Sequence, residues 1–250
     1  MGSTVISGTS LPSVSPEEYA AFILERFLEA GDPIRAEQQR AYMRHKFDYC
    51  GLGAPEWMAI LKVIFATHGM YTGQDLKSFV ECCFEQEYRE MHYAGLEMMQ
   101  RQLKLQNKSW IRVLEKSIQT HSWWDSVDWL AKLTGIYFKK YPDLQQPYAH
   151  KWIASENIWL QRVAIIHQLL WKEETDEALL FDLIRKRKDS KEFFIQKACG
   201  WALRQYAKRN PKRVEWFLKN HTLSALTIRE ARKQLDRPKA VSSRSDNRKG

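Results

Sequence analysis

SWWDSVDWLAKL, residues 122–133, begins a stretch whose apolar residues recur at three- and four-residue spacing, and three later segments restate it: IWLQRVAIIHQLL (158–170), FIQKACGWALRQY (194–206) and LTIREARKQL (226–235). Aligned on small or β-branched positions, they bring Val127, Val163, Ala198 and Ala231 into register, at intervals of 36, 35 and 33 residues. Each segment follows a shorter helical one. A helical pair returning at this interval buries its apolar face only by stacking on its neighbours. The expectation is an all-α chain built as an α-solenoid, with an irregular helical bundle as the competing arrangement.

Outward from these segments the same periodicity continues, broken by short turns with Gly, Pro, Asn or Asp, and no sustained alternation marks a strand. Thirteen helical segments are expected from Glu17 to Leu235, among them continuous helices over 88–105, 147–154 and 158–171. The spacing matches HEAT-like helical repeats, expected as a single domain over residues 16–236. A loose lead-in over 1–15 precedes it. The tail RPKAVSSRSDNRKG (237–250), which carries five positive charges, is expected to be disordered.

At 250 residues the chain buries a sizeable core without help from metals or disulfides. Cys50, Cys82, Cys83 and Cys199 show no CxxC spacing, so the expectation is a reduced, cytoplasmic setting with thiols packed as small apolar groups and no metal site. No stretch approaches the roughly 18 apolar residues of a membrane span, and no basic n-region marks a signal peptide. Net charge is +9, unevenly spread: residues 184–250 hold 20 of the 39 Lys and Arg but only 6 of the 30 Asp and Glu. That asymmetry points to an anionic partner, with nucleic acid first and a membrane surface or plain solubility as alternatives.

Several residues fit a packed core poorly. Ser122 with Asp125 three positions later has the form of a capping box, and a carboxylate there also suits the helix dipole. Trp123, Val127, Leu130 and Thr134 share a packing stripe. Trp124 and Asp128 lie one turn apart on another face, which continues with Ala131 and Gly135. Asp128 is beyond the capping turn and needs another explanation. Arg162 shares the stripe of Ile158, Ile165 and Leu169, so it requires either a carboxylate on a neighbouring helix, Asp128 included, or a phosphate. Trp201 lies opposite the packing face of Ile195, Cys199, Ala202, Leu203 and Tyr206, among Lys197, Arg204, Gln205 and Lys208. A ring bordered by cations suits stacking on sugar or base while the cations take phosphates; packing between repeats under snorkelling stems is the other reading. No phosphate loop, dinucleotide fingerprint, nucleophile elbow or HExxH occurs, and no histidine is assigned to catalysis.

Four blocks in order, YMRHKFDYCGLGAPEW (42–57), SWWDSVD (122–128), NIWLQRVAII (157–166) and FFIQKACGWALRQYAKRNP (193–211), resemble the DNA alkylation repair enzymes of the AlkD type, bacterial alkylpurine DNA glycosylases with HEAT-like repeats. The likeness spans roughly residues 17 to 235. It implies a concave basic cleft for duplex DNA containing alkylated bases, lined by Trp124, Asp128, Arg162 and Trp201 and bordered by Tyr42. It implies hydrolysis of the N-glycosidic bond of N3-alkyladenine and N7-alkylguanine without base flipping. Asp128 would stabilise the oxocarbenium-like sugar, Trp124 and Trp201 would cradle sugar and backbone, and Arg162 would hold a phosphate, with Lys197, Arg204 and Lys208 as further DNA contacts. No lysine stands beside these residues to form a Schiff base, so monofunctional action is expected, with no cofactor, as a monomer. The competing functions are a non-catalytic, structure-selective DNA binder and a protein-interaction scaffold.

Overall fold

The computed structural model describes residues 12–237; residues 1–11 of the expected lead-in (1–15) and residues 238–250 of the expected disordered tail (237–250) lie outside the described residues. Among the described residues there are thirteen α-helices and no strand, with one isolated bridge between Asp48 and Tyr88. The described residues divide into two compact units, 12–167 and 168–237.

The first unit holds α1 (Pro16–Ala30), α2 (Pro33–Tyr42), α3 (Ala54–His68), α4 (Gly73–Phe84), α5 (Arg89–Gln102), α6 (Ile111–Gln119), α7 (Trp124–Lys140), α8 (Pro142–Ala154) and α9 (Ile158–Ile166). Several starts are written locally. Ser15 Oγ accepts the Glu18 amide while the Glu18 carboxylate accepts the Ser15 amide, and Pro16 occupies the first turn, where its missing N–H costs nothing. Asp32 caps α2, and Asn157 accepts the amides of Trp159 and Leu160 at the start of α9.

Helices pack as pairs, α4 with α5, α6 with α7 and α8 with α9, and successive pairs stack through α5 on α7 and α7 on α9. The links between pairs fall one repeat apart. Lys116 reaches Glu81 at 2.7 Å across 35 residues, and Lys108 reaches Asp143 at 2.8 Å across 35. Trp152 Nε1 donates to Glu115 at 2.6 Å across 37. The interval read from the apolar positions is therefore the interval at which helices touch.

In the second unit, α10 (Glu177–Arg187), α11 (Phe193–Ala207), α12 (Pro211–Asn220) and α13 (Ala225–Leu235) repeat the scheme, with α11 lying along α13. Val127, Val163, Ala198 and Ala231, the aligned positions, are each 0% exposed. The α11–α13 contact is close enough to demand a glycine. A Cβ on Gly200 would stand 2.4 Å from Glu230 Cβ and 2.8 Å from the Thr227 carbonyl oxygen. Gly200→Ala is therefore expected to lower stability by about 1–3 kcal/mol, overriding alanine's better helix propensity. Thermal denaturation checks it, and an unchanged or raised Tm would mean that the two helices separate freely.

Most boundaries shift by one to three residues, and the physical reason is visible at three of them. Helix α8 starts at Pro142, five residues before Pro147. Pro142 fits the first turn, and interior Pro147 removes one backbone donor in a helix whose Gln145, Ala149, Trp152 and Ile153 are buried; tertiary packing outweighs the missing rung. Helix α9 stops at Ile166 rather than running to Trp171. There the His167 ring bonds back to the Ala164 carbonyl at 2.7 Å, and further on Gln168 Oε1 accepts the Asp176 amide at 2.7 Å, so side chains compete with the helical ladder. The segment 88–105 is also not continuous: α5 ends at Gln102 and residues Leu103–Leu105 tighten into a 3-10 turn.

Candidate functional site

In the first unit the predicted residues gather around the start of α7. Trp124 is its first residue and is half-buried; Asp128 follows one turn later on the same face. Arg162 on α9 closes on that carboxylate with both arms of its fork, Nε to Oδ1 at 2.8 Å and Nη2 to Oδ2 at 2.9 Å. Of the two readings of Arg162, the ion pair is the one formed, a geometry that fixes both oxygens of the carboxylate. The Arg162 side chain is 6% exposed, whereas Asp128 keeps 22% of its side chain open. Burial raises the Asp128 carboxyl above its ordinary value; the Arg162 bonds oppose this, and neighbouring Asp125 adds to it. Tyr42, at the end of α2, is 73% exposed and meets Trp124 edge-on with ring centroids 6.2 Å apart.

The capping role expected of Ser122 and Asp125 does not hold. The N-cap position belongs to Trp123 without a side-chain cap bond, and Ser122 Oγ instead donates to the Ile118 carbonyl at 2.6 Å. Asp125 accepts Arg89 Nε at 2.9 Å, Arg89 Nη2 at 2.7 Å and the Tyr93 hydroxyl at 2.7 Å. A local pattern was outcompeted by a cation 36 residues upstream. Burial pushes the Asp125 carboxyl up, but the Arg89 bonds hold it below the usual carboxylate range.

Arg89, which the sequence reading missed, anchors the site. Its side chain is 0% exposed. Besides Asp125, it donates to the His121 carbonyl and Ser126 Oγ, both at 2.7 Å, and to His92 Nδ1 at 2.8 Å. All five guanidinium hydrogens thus have acceptors. Because a guanidinium only donates, His92 Nδ1 must be unprotonated, and Nε2–H then donates to the Gln86 carbonyl at 2.9 Å. Burial, with Arg89 beside it, pushes the His92 pKa down to about 3, so the ring is neutral.

The neighbouring Glu90 holds the loop before α3. Its carboxylate accepts the amides of Cys50, Gly51 and Leu52 at 3.0, 3.0 and 3.1 Å. Gly51 has φ +91°, and a Cβ there would lie 2.0 Å from the Asp32 carbonyl oxygen, so the turn requires glycine. The front block then wraps the α7 start. Arg44 and His45 adopt left-handed φ of 56° and 53°, Lys46 Nζ sits 4.7 Å over the Trp123 ring, and Phe47 lies 3.9 Å beneath the Arg89 guanidinium carbon. Trp123 also meets Trp159 edge-on at 5.7 Å. The one available signal for Arg89 was its placement about one repeat before Asp125, 36 residues away, close to the 34 residues between Asp128 and Arg162.

In the second unit, Trp201 is half-buried on α11, opposite buried Cys199, Ala202, Leu203 and Tyr206 as expected. Its flanking cations are less independent than the sequence implied. Lys197 and Arg204 both bind Glu230 of α13, at 2.9 and 2.8 Å, and Lys233 joins at 2.7 Å. Glu230 is buried, which opposes ionisation, yet the surrounding lysines hold its pKa down to about 2. Three cations on one carboxylate leave the cluster with two net positive charges. Lys208 is exposed at the end of α11.

None of the four cysteines is in a disulfide, and three of them are buried. Among the described residues no group of three or more His, Cys, Asp or Glu is placed to hold a metal ion, and no helix is long and apolar enough to cross a membrane.

None of the curated proteins matches the sequence. The solved structure of a predicted DNA alkylation repair enzyme from Enterococcus faecalis is 32% identical, with 83% of this chain and 98% of that one covered and a TM-score of 0.79. AlkD2 from Streptococcus mutans (18% identical, 89% of this chain and 100% of that one, TM-score 0.61) and smu.31 from Streptococcus mutans UA159 (16%, 89% and 98%, 0.61) share the fold. The model of the DNA alkylation repair enzymes matches residues 23–235. With nearly all of the helical chain matched, the protein belongs to the DNA alkylation repair enzyme family.

Proposed function

We propose that the protein hydrolyses the N-glycosidic bond of cationic alkylated purines, N3-alkyladenine and N7-alkylguanine, in duplex DNA. The observation that carries this reading is the Asp128 carboxylate, clamped by Arg162 yet partly open, on the same helix face as Trp124. An N-alkylated purine already carries positive charge, so no general acid is required. As the bond from C1′ to nitrogen breaks, its electron pair neutralises the base and positive charge moves to the deoxyribose. Water then bonds to C1′ and gives up a proton, leaving an abasic sugar and the free base.

A fixed anion beside C1′ stabilises that developing cation without having to reorient. Each Asp128 oxygen spends one lone pair on Arg162 and keeps another for water or sugar. The faces of Trp124 and Tyr42 add attraction for a cation. Arg162 then acts mainly by orienting Asp128, and the second unit supplies DNA contacts of its own through Trp201, Lys208 and the partly neutralised Lys197 and Arg204. The non-catalytic DNA-binding reading has one observation in its favour: a carboxylate already bonded to arginine is also what a purely structural ion pair looks like.

Incubation with methylated duplex DNA, followed by chromatography of the released bases, separates the two. Release of 7-methylguanine and 3-methyladenine is expected. Tight, salt-sensitive binding of the duplex with no base released would sink the enzyme reading.

A further inference from the structure

Lys197, Trp201 and Arg204 stand about one turn apart on a single side of α11, and Glu230 of α13 is packed against that side. A carboxylate beside a DNA-facing surface repels phosphate, and at 3% exposure it also bears a desolvation cost. Its position is built in rather than incidental. Only a glycine at 200 lets α13 approach this closely, since a Cβ there would stand 2.4 Å from Glu230 Cβ. Glu230 Oε1 accepts Lys197 Nζ at 2.9 Å and Lys233 Nζ at 2.7 Å, and Oε2 accepts Arg204 Nη1 at 2.8 Å. The three cationic side chains remain partly open while the carboxylate does not, so Glu230 lies beneath and the cations lie toward solvent.

Two effects of Glu230 oppose each other when a phosphate arrives. Its charge weakens the pull of the cations, but only modestly, because the cationic heads face water and salt screens them. Against this, lysine and arginine have the most rotamer freedom to lose on binding, and a carboxylate that already holds both heads lowers that loss for two long side chains at once. Neither cation is used up. With one hydrogen bond each to Glu230, Lys197 keeps two of its three N–H donors and Arg204 four of its five. We infer that Glu230 is a positioning residue for DNA binding: it holds Lys197 one turn before and Arg204 one turn after Trp201, ready for backbone phosphates while the ring meets sugar or base. The inference rests on the DNA-contact reading of α11 given above.

The test is equilibrium binding of a fluorescein-labelled duplex carrying a tetrahydrofuran abasic analogue, followed by anisotropy at fixed salt and well below the Tm of each variant. Glu230→Gln keeps the shape of the side chain and raises the net positive charge by one. A count of charges predicts tighter binding of DNA. Positioning predicts the opposite sign, an affinity about three- to tenfold weaker. In a Lys197→Gln/Arg204→Gln background the same substitution should cause no further loss, because Glu230 acts through those two side chains. Gly200→Ala alters no charge but forces α13 away from Lys197 and Arg204, and it should weaken binding in the same direction. Affinity at or above wild type in folded Glu230→Gln, as a purely structural ion pair would give, or a loss that persists undiminished in the Lys197→Gln/Arg204→Gln background, would overturn the inference. If Glu230→Gln does not fold, wild-type affinity in Gly200→Ala overturns it instead. Base release from methylated DNA is read separately: a wild type that binds the duplex but releases no base removes the glycosylase and leaves the Glu230 comparison standing, whereas a wild type without salt-sensitive duplex binding removes the DNA reading and this inference with it.

Discussion

Asp128→Asn is expected to leave a folded, DNA-binding protein that releases methylated purines at least about 100-fold more slowly than wild type, the scale of losing one preorganised electrostatic contact to a transition state. The substitution keeps the shape of the side chain and one carbonyl oxygen for Arg162. It removes the negative charge opposite the developing sugar cation and sets an amide N–H₂ against a guanidinium that can only donate. Some stability is lost, but less than the roughly 3–5 kcal/mol of a fully buried broken pair, because the carboxylate is 22% exposed. The pH profile provides a second readout. With its carboxyl raised by burial, Asp128 takes up a proton at a higher pH than an ordinary aspartate, so release should decline in acid through a midpoint above the usual aspartate value. Single-turnover release across pH, with binding measured on the same samples, is the check. Retention of release within threefold in Asp128→Asn would transfer the chemistry to another group.

Arg89→Met is expected to give the largest loss of stability, about 3–5 kcal/mol at neutral pH by chemical denaturation. Methionine fills much of the volume but satisfies none of five acceptor contacts, and it leaves Asp125, whose side chain is 11% exposed, as an uncompensated buried anion. The sign of the pH dependence follows from linkage. In the wild type, burial opposes ionisation of Asp125 but Arg89 lowers its carboxyl overall. That contribution is fully present above the unfolded aspartate value and is lost as pH falls through the lower folded value. In the variant, the unpaired carboxyl is raised, so the variant regains stability on protonation. The gap between the two proteins should therefore narrow from pH 7 to pH 4. A loss under about 1 kcal/mol, or a gap that does not change with pH, would mean that water enters and replaces the guanidinium. Because Arg89 also binds the His121 carbonyl and Ser126, the same substitution should loosen the first turn of α7 and with it Trp124.

Much of the candidate site was legible because it obeys helical geometry. Trp124 and Asp128 share a face at one-turn spacing, and Trp201 stands off a packing face that is indeed buried. What was misread depended on a second helix. Ser122 and Asp125 match a local capping rule, and nothing within that turn shows that Arg89 claims the carboxylate. The cations around Trp201 look unopposed along α11, and only α13 brings Glu230 against them. For Arg162, both alternatives were visible, a carboxylate or a phosphate, and the partner was decided by the distance between α7 and α9.

By itself, the sequence determined the all-helical class, the interval of about 35 residues and the buried register of Val127, Val163, Ala198 and Ala231, since these follow from the angle between successive side chains on a helix. It also placed Trp124 with Asp128 on one face. Only the tertiary structure decided which charge meets which. Ion pairing falls off within a few ångströms and is set by where separate helices come to rest, so Arg89 with Asp125, Arg162 with Asp128 and Lys197 with Glu230 join residues 33 to 36 positions apart that no short window brings together.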